Sequence, residues 1–397
     1  GCIVGAASTL FSFTLKAVTN YRKAHEWIFF LLPLSGLVIV FLYEKLGKED
    51  GGTNQVLSTV RSRDDVPILS APLIFITTAL THLTGGSAGR EGAAIQLGGS
   101  IANQLGRWIH LDEEDRHVIV MCGMSAGFSA VFGSQITAAL FALEISCVGI
   151  LPLGGLFPCV VSSLAAGTVA RAMGVRAMRF YLSASTPDVL FYGQVLVLGI
   201  ACGLLSILVC YTFSGVRAGL ARLFPNPYLR VVVGSAGVMV LTLILGTKAY
   251  LGTGEALIAQ AIDQGRAAPQ DCLLKLLLTA LTLGAGLKGG EIVPCFAIGA
   301  SFGCVVGPLL GLPAPYAAAV GMVSLFCGVT NCPLTALMLG FEVFFFCNPG
   351  GFLMAVAASF LVSGYSGLYA KQKFAFSKTA SPEGLAHEAR RERTGPL

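Results

Sequence analysis

The run Gly89-Arg90-Glu91-Gly92 places an ionisable side chain directly before an apolar stretch at 93–105. A helix starting there offers unpaired N–H groups and partial positive charge in its first turn, which together make a site for an anion. A carboxylate in that position fills the site itself when ionised and gives it up when protonated. Glu91 could so act as both a gate for an anion and a carrier for a proton, and an ionisable residue within membrane sequence is a functional candidate. The plainer reading is a helix cap or an ion pair with Arg90. A second start, Gly289-Gly290-Glu291-Ile292-Val293-Pro294, brings in another carboxylate. Pro294 suits a first turn, where its missing N–H breaks no bond. Glu291 could relay protons, orient a neighbour or simply cap its helix. A third start, Gly51-Gly52-Thr53-Asn54-Gln55-Val56, supplies hydroxyl and amide donors on Thr53 and Asn54, residue types that are also ordinary N-caps.

Such sites need helices that begin inside a membrane. Of the 397 residues, 54% are hydrophobic and 12% charged, whereas soluble domains carry about 25% charged residues. The chain therefore reads as an all-α, polytopic membrane protein. Spans are expected near 1–19, 27–43, 65–84, 152–172, 188–215, 229–247 and 350–370. Shorter apolar helices, broken by glycine and proline, are expected at 93–108, 118–131, 135–151, 292–311 and 332–347. Forty-nine glycines are too many for a bundle of plain helices. Helices interrupted at membrane depth are tolerated where they are buried or line a polar cavity, the pattern of a transporter or channel.

The two carboxylate motifs repeat one another. Gly89 to Ser100 and Gly290 to Ser301 share Gly98/Gly299 and Ser100/Ser301 at one offset, and Gly106 matches Gly307. Thr137-Ala138-Ala139-Leu140-Phe141-Ala142-Leu143-Glu144 is echoed by Thr335-Ala336-Leu337-Met338-Leu339-Gly340-Phe341-Glu342. The expected organisation is a first membrane repeat over 1–175, a polar joint over 176–190 with Arg176, Arg179 and Asp188, and a second repeat over 191–370. Paired broken helices point to a site where the repeats meet. A basic tail, 371–397, carries Lys371, Lys373, Lys378, Arg390, Arg391 and Arg393, and is expected on the cytoplasmic side and mobile.

Other chemistries find less support. Twelve scattered cysteines, with no CxxC pair, suggest neither a disulfide framework nor a metal site. No cofactor is implied. A net charge of +5 is too small to point to nucleic acid. The chain starts at glycine, so a start methionine and a short leader are expected to be missing, and no cleavable signal peptide is recognisable. Gly123-Met124-Ser125-Ala126-Gly127 fits the serine-hydrolase elbow, but no strand precedes Ser125. None of the five histidines, at 25, 82, 110, 117 and 387, lies in such a motif, and only His82 sits near the end of a span. Small residues in membrane helices more often serve close packing. No enzymatic reaction is expected. An intramembrane serine hydrolase and a structural scaffold remain as rival readings.

The motifs resemble those of the CLC anion channels and proton-coupled antiporters. Gly89-Arg90-Glu91-Gly92 is similar to that family's GREGP signature. Gly290-Glu291-Ile292-Val293-Pro294 stands where members carry GxFxP, and Gly52-Thr53-Asn54-Gln55-Val56 where most carry GSGIP. Leu368-Tyr369 resembles a pair whose tyrosine hydroxyl faces the central anion. The resemblance implies two inverted repeats with many short broken helices, in a homodimer. Glu91 is then the gating and proton-transfer residue, and Thr53, Asn54, Gly89, Arg90, Gly92, Ile292, Val293 and Tyr369 line the anion path. Ala93 in place of the signature proline, Thr53-Asn54 in place of the usual serine and glycine, and the presence of Glu291 are similar to the bacterial fluoride-exporting branch. That branch exchanges fluoride for protons across the inner membrane. Chloride antiporters carry a second glutamate after the one at Glu144; here Ile145 holds that place. A chloride/proton antiporter or a chloride channel is the alternative within the family.

Overall fold

The computed structural model describes residues 1–46, 52–60, 67–183, 187–375 and 378. The first part of the chain forms α1 (Cys2–Ala24), a 3-10 segment (Glu26–Leu31) running into α2 (Leu32–Leu46), α3 (Thr53–Thr59), α4 (Ser70–Thr84), α5 (Glu91–Trp108), α6 (Glu113–Phe132), α7 (Gln135–Glu144) and α8 (Leu156–Ala172). The second part forms α9 (Val189–Leu223), α10 (Pro227–Leu245), α11 (Glu255–Asp263), α12 (Asp271–Ala285), α13 (Ile292–Leu309), α14 (Ala314–Thr330), α15 (Pro333–Phe344) and α16 (Pro349–Val362). Two short strands, β1 (Cys147–Val148) and β2 (Lys373–Phe374), pair in parallel and fasten the segment after α16 to the loop after α7.

Among the described residues, six helical stretches are long and apolar enough to cross a bilayer: Cys2–Ala24, Glu26–Leu46, Leu153–Ala172, Val189–Leu223, Pro227–Leu245 and Ile292–Leu309. Two expected spans are shorter than the sequence suggests. The region 65–84 holds a helix only from Ser70, and 350–370 only to Val362. Conversely α13, expected as a short helix, reaches spanning length. The helix expected over 135–151 stops at Glu144. The expected helices do not include α12 or α14, although Pro269 and Gly286 bracket the first and Pro313 and Asn331 the second. Both are largely buried. The polar joint holds no helix among its described residues between Ala172 and Val189, as its charged residues suggest. Of the tail, the described residues are 371–375 and 378; Arg390, Arg391 and Arg393 lie outside them, as does Gly51 of the third motif.

Glycine shapes the core. A Cβ on Gly98 would strike the Gly123 carbonyl, and one on Gly123 would strike the Gly98 carbonyl, so α5 and α6 touch backbone to backbone. About 200 residues later Gly299 and Gly321 make the same mutual contact between α13 and α14. The repeat read from the motifs thus extends to helix packing. It recurs in a pair of carboxylates. Glu144, last in α7, accepts hydrogen bonds from Leu334 N (3.0 Å), Thr335 N (2.8 Å) and Thr335 Oγ1 (2.6 Å) at the start of α15. Glu342, near the end of α15, accepts from Ile136 N (3.2 Å), Thr137 N (2.9 Å) and Thr137 Oγ1 (2.6 Å) at the start of α7. Each helix therefore caps the other's orphan N–H groups.

Candidate functional site

The first turns of α5 and α13 meet inside the molecule. Gly89 N donates to Gly290 O at 2.7 Å and Gly290 N to Gly89 O at 2.9 Å, a two-bond antiparallel bridge between residues 201 positions apart in the repeats. A Cβ on Gly290 would lie 2.7 Å from Gly92 N, closer than real contacts allow. Only glycine lets the two helix starts approach so closely. Gly92 is the meeting point of the three motifs. A Cβ there would lie 3.1 Å from Gly290 Cα, 3.5 Å from Thr53 Oγ1 and 3.9 Å from Glu291 Oε2.

Glu91 opens α5 and is 1% exposed. Its carboxylate turns back over its own helix start, where Oε2 accepts from Arg90 N at 3.1 Å and Oε1 lies 3.4 Å from Arg90 Nε. A carboxyl group thus sits on a helix-start N–H that would otherwise face an anion. Arg90 also pairs with Glu255 at the start of α11, Nη2 to Oε1 at 2.9 Å.

Two cavities approach this junction, and they share no lining residue. One, of about 330 Å³, is lined by Thr53, Asn54, Gln96, Glu291, Leu368 and Tyr369, with Arg217, Arg230 and Lys288 adding positive charge. The other, of about 870 Å³, is lined by Lys16, Arg22, Lys23, Arg90, Arg176 and Lys248, with Glu255 the one carboxylate among its described walls. α12 runs from one cavity to the other: Lys275 bonds to Gly252 O in the wall of the larger, and Leu283 and Gly284 line the smaller. Glu91 lines neither cavity and lies between them.

In the smaller cavity, Tyr369 is 5% exposed and its hydroxyl has no hydrogen-bond partner among the described residues. A buried, unpaired hydroxyl is unfavourable for folding, which suits a group held for a ligand. Tyr369→Phe is expected to change thermal stability by no more than about 0.5 kcal/mol, or to raise it. It should also weaken anion binding in the same protein. A stability loss without a binding change would show that the hydroxyl serves the fold instead.

These features match a known family. The sequence model described as voltage gated chloride channel matches residues 35–364. The chain belongs to that family. It is 37% identical over 392 residues to the chloride/fluoride channel protein of Pseudomonas syringae pv. tomato, covering 96% of this chain and 86% of that one. It is 26% identical over 270 residues to the H(+)/Cl(-) exchange transporter ClcA of Vibrio cholerae, covering 64% of this chain and 58% of ClcA. The crystal structure of a CLC-type fluoride/proton antiporter superposes with a TM-score of 0.92 at 34% identity, covering 94% of this chain and 96% of that one. The chain is thus a multi-pass membrane protein with the CLC fold.

Within this CLC chain the residues singled out by sequence divide into groups. Thr53, Asn54, Glu291 and Tyr369 share the smaller cavity. Gly89 and Gly92 form the junction, and Arg90 faces the larger cavity. Ile292 and Val293 are fully buried in the first turn of α13 beside it. Thr53 and Asn54 do not cap α3 as their types suggest. Gly52 is the residue before α3, with φ of 53°, Thr53 Oγ1 points to Gly92 O at 3.5 Å, and Asn54 Oδ1 accepts from Lys371 N at 3.2 Å. Glu291 precedes α13 and faces Arg217 at 3.9 Å. Ser125 lies mid-helix in α6 with Oγ donating to Cys159 O at 3.0 Å, an interhelical packing bond rather than a nucleophile on a turn. The sequence motifs pass over Gln96, Arg217, Glu255 and Lys275. Lys275 carries a legible signal, a charged residue within a run of leucines.

Proposed function

We propose that this chain is a proton-coupled CLC antiporter that exports fluoride from the cytoplasm in exchange for protons. The observation that carries the reading is Glu91, sealed between two cavities and lying on a helix start built to hold an anion. Ionised, Glu91 keeps the site and closes the path. Protonated, it loses its attraction to the helix start, swings away and carries the proton, so anion and proton movements alternate. Glu291, in the wall of the smaller cavity, is a second carboxylate near the junction through which protons reach Glu91, taking the role of the glutamate that Ile145 replaces.

Fluoride is small and holds water tightly, so a site for it must replace that water with closely set N–H and O–H donors. The Thr53 hydroxyl, the Asn54 amide and the unpaired Tyr369 hydroxyl face one cavity beside two helix starts. The relative at 37% identity is named a chloride/fluoride channel protein, and the superposed structure at 34% identity is a fluoride/proton antiporter. Chloride exchange, the activity named for the relative at 26% identity, is the alternative. The protein sits in the inner membrane as a homodimer. The smaller cavity, which adjoins the C-terminal segment at Leu368 and Tyr369, opens to the cytoplasm.

The test is efflux from vesicles reconstituted with the purified protein and loaded with fluoride or chloride. Fluoride should leave at least about tenfold faster than chloride, one such factor corresponding to about 1.4 kcal/mol of discrimination, and an imposed proton gradient should drive it uphill. Preference for chloride would overturn the fluoride assignment. Indifference to the proton gradient would overturn antiport.

A further inference from the structure

Lys275 is fully buried within α12 and belongs to none of the motifs used above. Its Nζ donates to Ser87 Oγ at 2.9 Å, to Tyr250 O at 3.0 Å and to Gly252 O at 2.7 Å, three neutral oxygens. It is part of a buried polar stripe along α12. One turn earlier Asp271 accepts from Tyr250 OH at 2.7 Å and Ala268 N at 2.8 Å. One turn later Thr279 Oγ1 lies 3.0 Å from Ser87 Oγ, and a further turn on Thr282 Oγ1 accepts from Ser87 N at 3.1 Å. The stripe thus grips two loops, 85–90 and 250–254, which also bond directly through Gly252 N to Gly86 O at 3.1 Å. The first loop ends in Arg90, beside the gate. The second leads into Glu255, the partner of Arg90.

A buried ammonium is expensive at membrane depth, and an apolar side chain of similar length would serve packing alone as well or better. The partners of Lys275 show what the charge is used for. We propose that Lys275 is a positioning residue, which holds the loops carrying Arg90 and Glu255 in register so that their ion pair fixes Arg90 over Glu91. The inference rests on Glu91 being the gate. Lys275 also packs closely against the second loop: a Cβ on Gly254 would lie 2.9 Å from Lys275 Cε, so the residue that precedes Glu255 has no room for a side chain.

The experiment measures protons moved per anion, and anion leak without a proton gradient, in vesicles holding wild type, Lys275→Met, Glu255→Gln, the double variant, Ser87→Ala and Glu91→Gln. Lys275→Met should elute from size exclusion as wild type, lose coupling by about tenfold or more, up to the roughly hundredfold that a 1 Å misplacement can cost, and leak more. Because the lysine acts through the Arg90–Glu255 pair, adding it to Glu255→Gln should change coupling little further. A merely structural lysine predicts wild-type coupling in the folded single variant, or a full additional loss in the double; either result overturns the proposal. Should Lys275→Met not fold, Ser87→Ala, which removes one acceptor and keeps the lysine, should lose coupling in the same direction, and wild-type coupling there overturns it. Unchanged coupling in Glu91→Gln removes the gate itself, whereas loss there with none in Lys275→Met removes only the role of the lysine.

Discussion

Glu91→Gln is expected to stop proton movement while anions still pass. The amide keeps the length and shape of the side chain, and its oxygen can still accept from Arg90 N as Glu91 Oε2 does at 3.1 Å. It carries no charge with which to compete for the start of α5, and it cannot take up or release a proton. The variant is therefore held in the state that the protonated carboxyl visits briefly. Proton flux should fall by about a hundredfold or more, the scale lost when a positioned acid–base group is removed. Anion flux should continue downhill and ignore the proton gradient. Glu91→Ala should go further, since removing a side chain buried between two cavities leaves a gap joining them. Recording proton and anion fluxes together in one vesicle preparation separates the outcomes. Persistent uphill anion transport in Glu91→Gln would mean that the proton travels by another carboxyl, Glu291 being the one nearest the junction.

Much of this site is legible in the residues themselves. Carboxylates at glycine-flanked helix starts are unusual in apolar sequence, and their repetition near 91 and 291 indicates that two helix ends meet. The direct bond between Gly89 and Gly290 is the physical form of that repeat. The partition of the residues is not legible. Arg90 and Glu91 are neighbours in sequence, yet Arg90 faces the larger cavity and Glu91 is sealed, because a helix start turns successive side chains through about 100°. The capping expectation for Thr53 fails for a tertiary reason: its hydroxyl is drawn to Gly92 O on α5, a partner that local sequence does not reveal. Helix α14 escapes notice because it is apolar on nearly every face and lacks the amphipathic period that marks a surface helix, whereas α12 does carry that period in its polar stripe from Asp271 to Thr282. Helix lengths are overestimated where apolar residues continue past a helix end, as they do beyond Glu144, since hydropathy does not distinguish a loop from a helix.

The paired carboxylates Glu144 and Glu342 should differ in how strongly they hold the halves together, although their bonding is the same. Glu144 is 6% exposed and receives two N–H groups and a hydroxyl from the start of α15. At the end of its own helix a negative charge opposes the dipole; at the start of the other it is favourable. Glu144→Ala removes the acceptor and leaves the buried Thr335 N–H and hydroxyl unpaired, along with the half-buried Leu334 N–H, so a loss of about 3 kcal/mol is expected. Glu342 has a more open setting in which water can replace it, and Glu342→Ala should cost about 1 kcal/mol. Thermal unfolding of the detergent-solubilised single and double variants measures both. Each acceptor serves a different helix, so the losses should add to within about 0.5 kcal/mol. A double variant markedly less stable than that sum would show that α7 and α15 are held as one unit, each cap needing the other. Because Gln372 Nε2 donates both to Ile145 O, one residue after Glu144, and to Thr330 O, loss of the Glu144 cap should also loosen the segment that carries Tyr369. Anion affinity is then expected to fall with Glu144→Ala and to stay unchanged with Glu342→Ala, whose helix start lies at the opposite end of the pair.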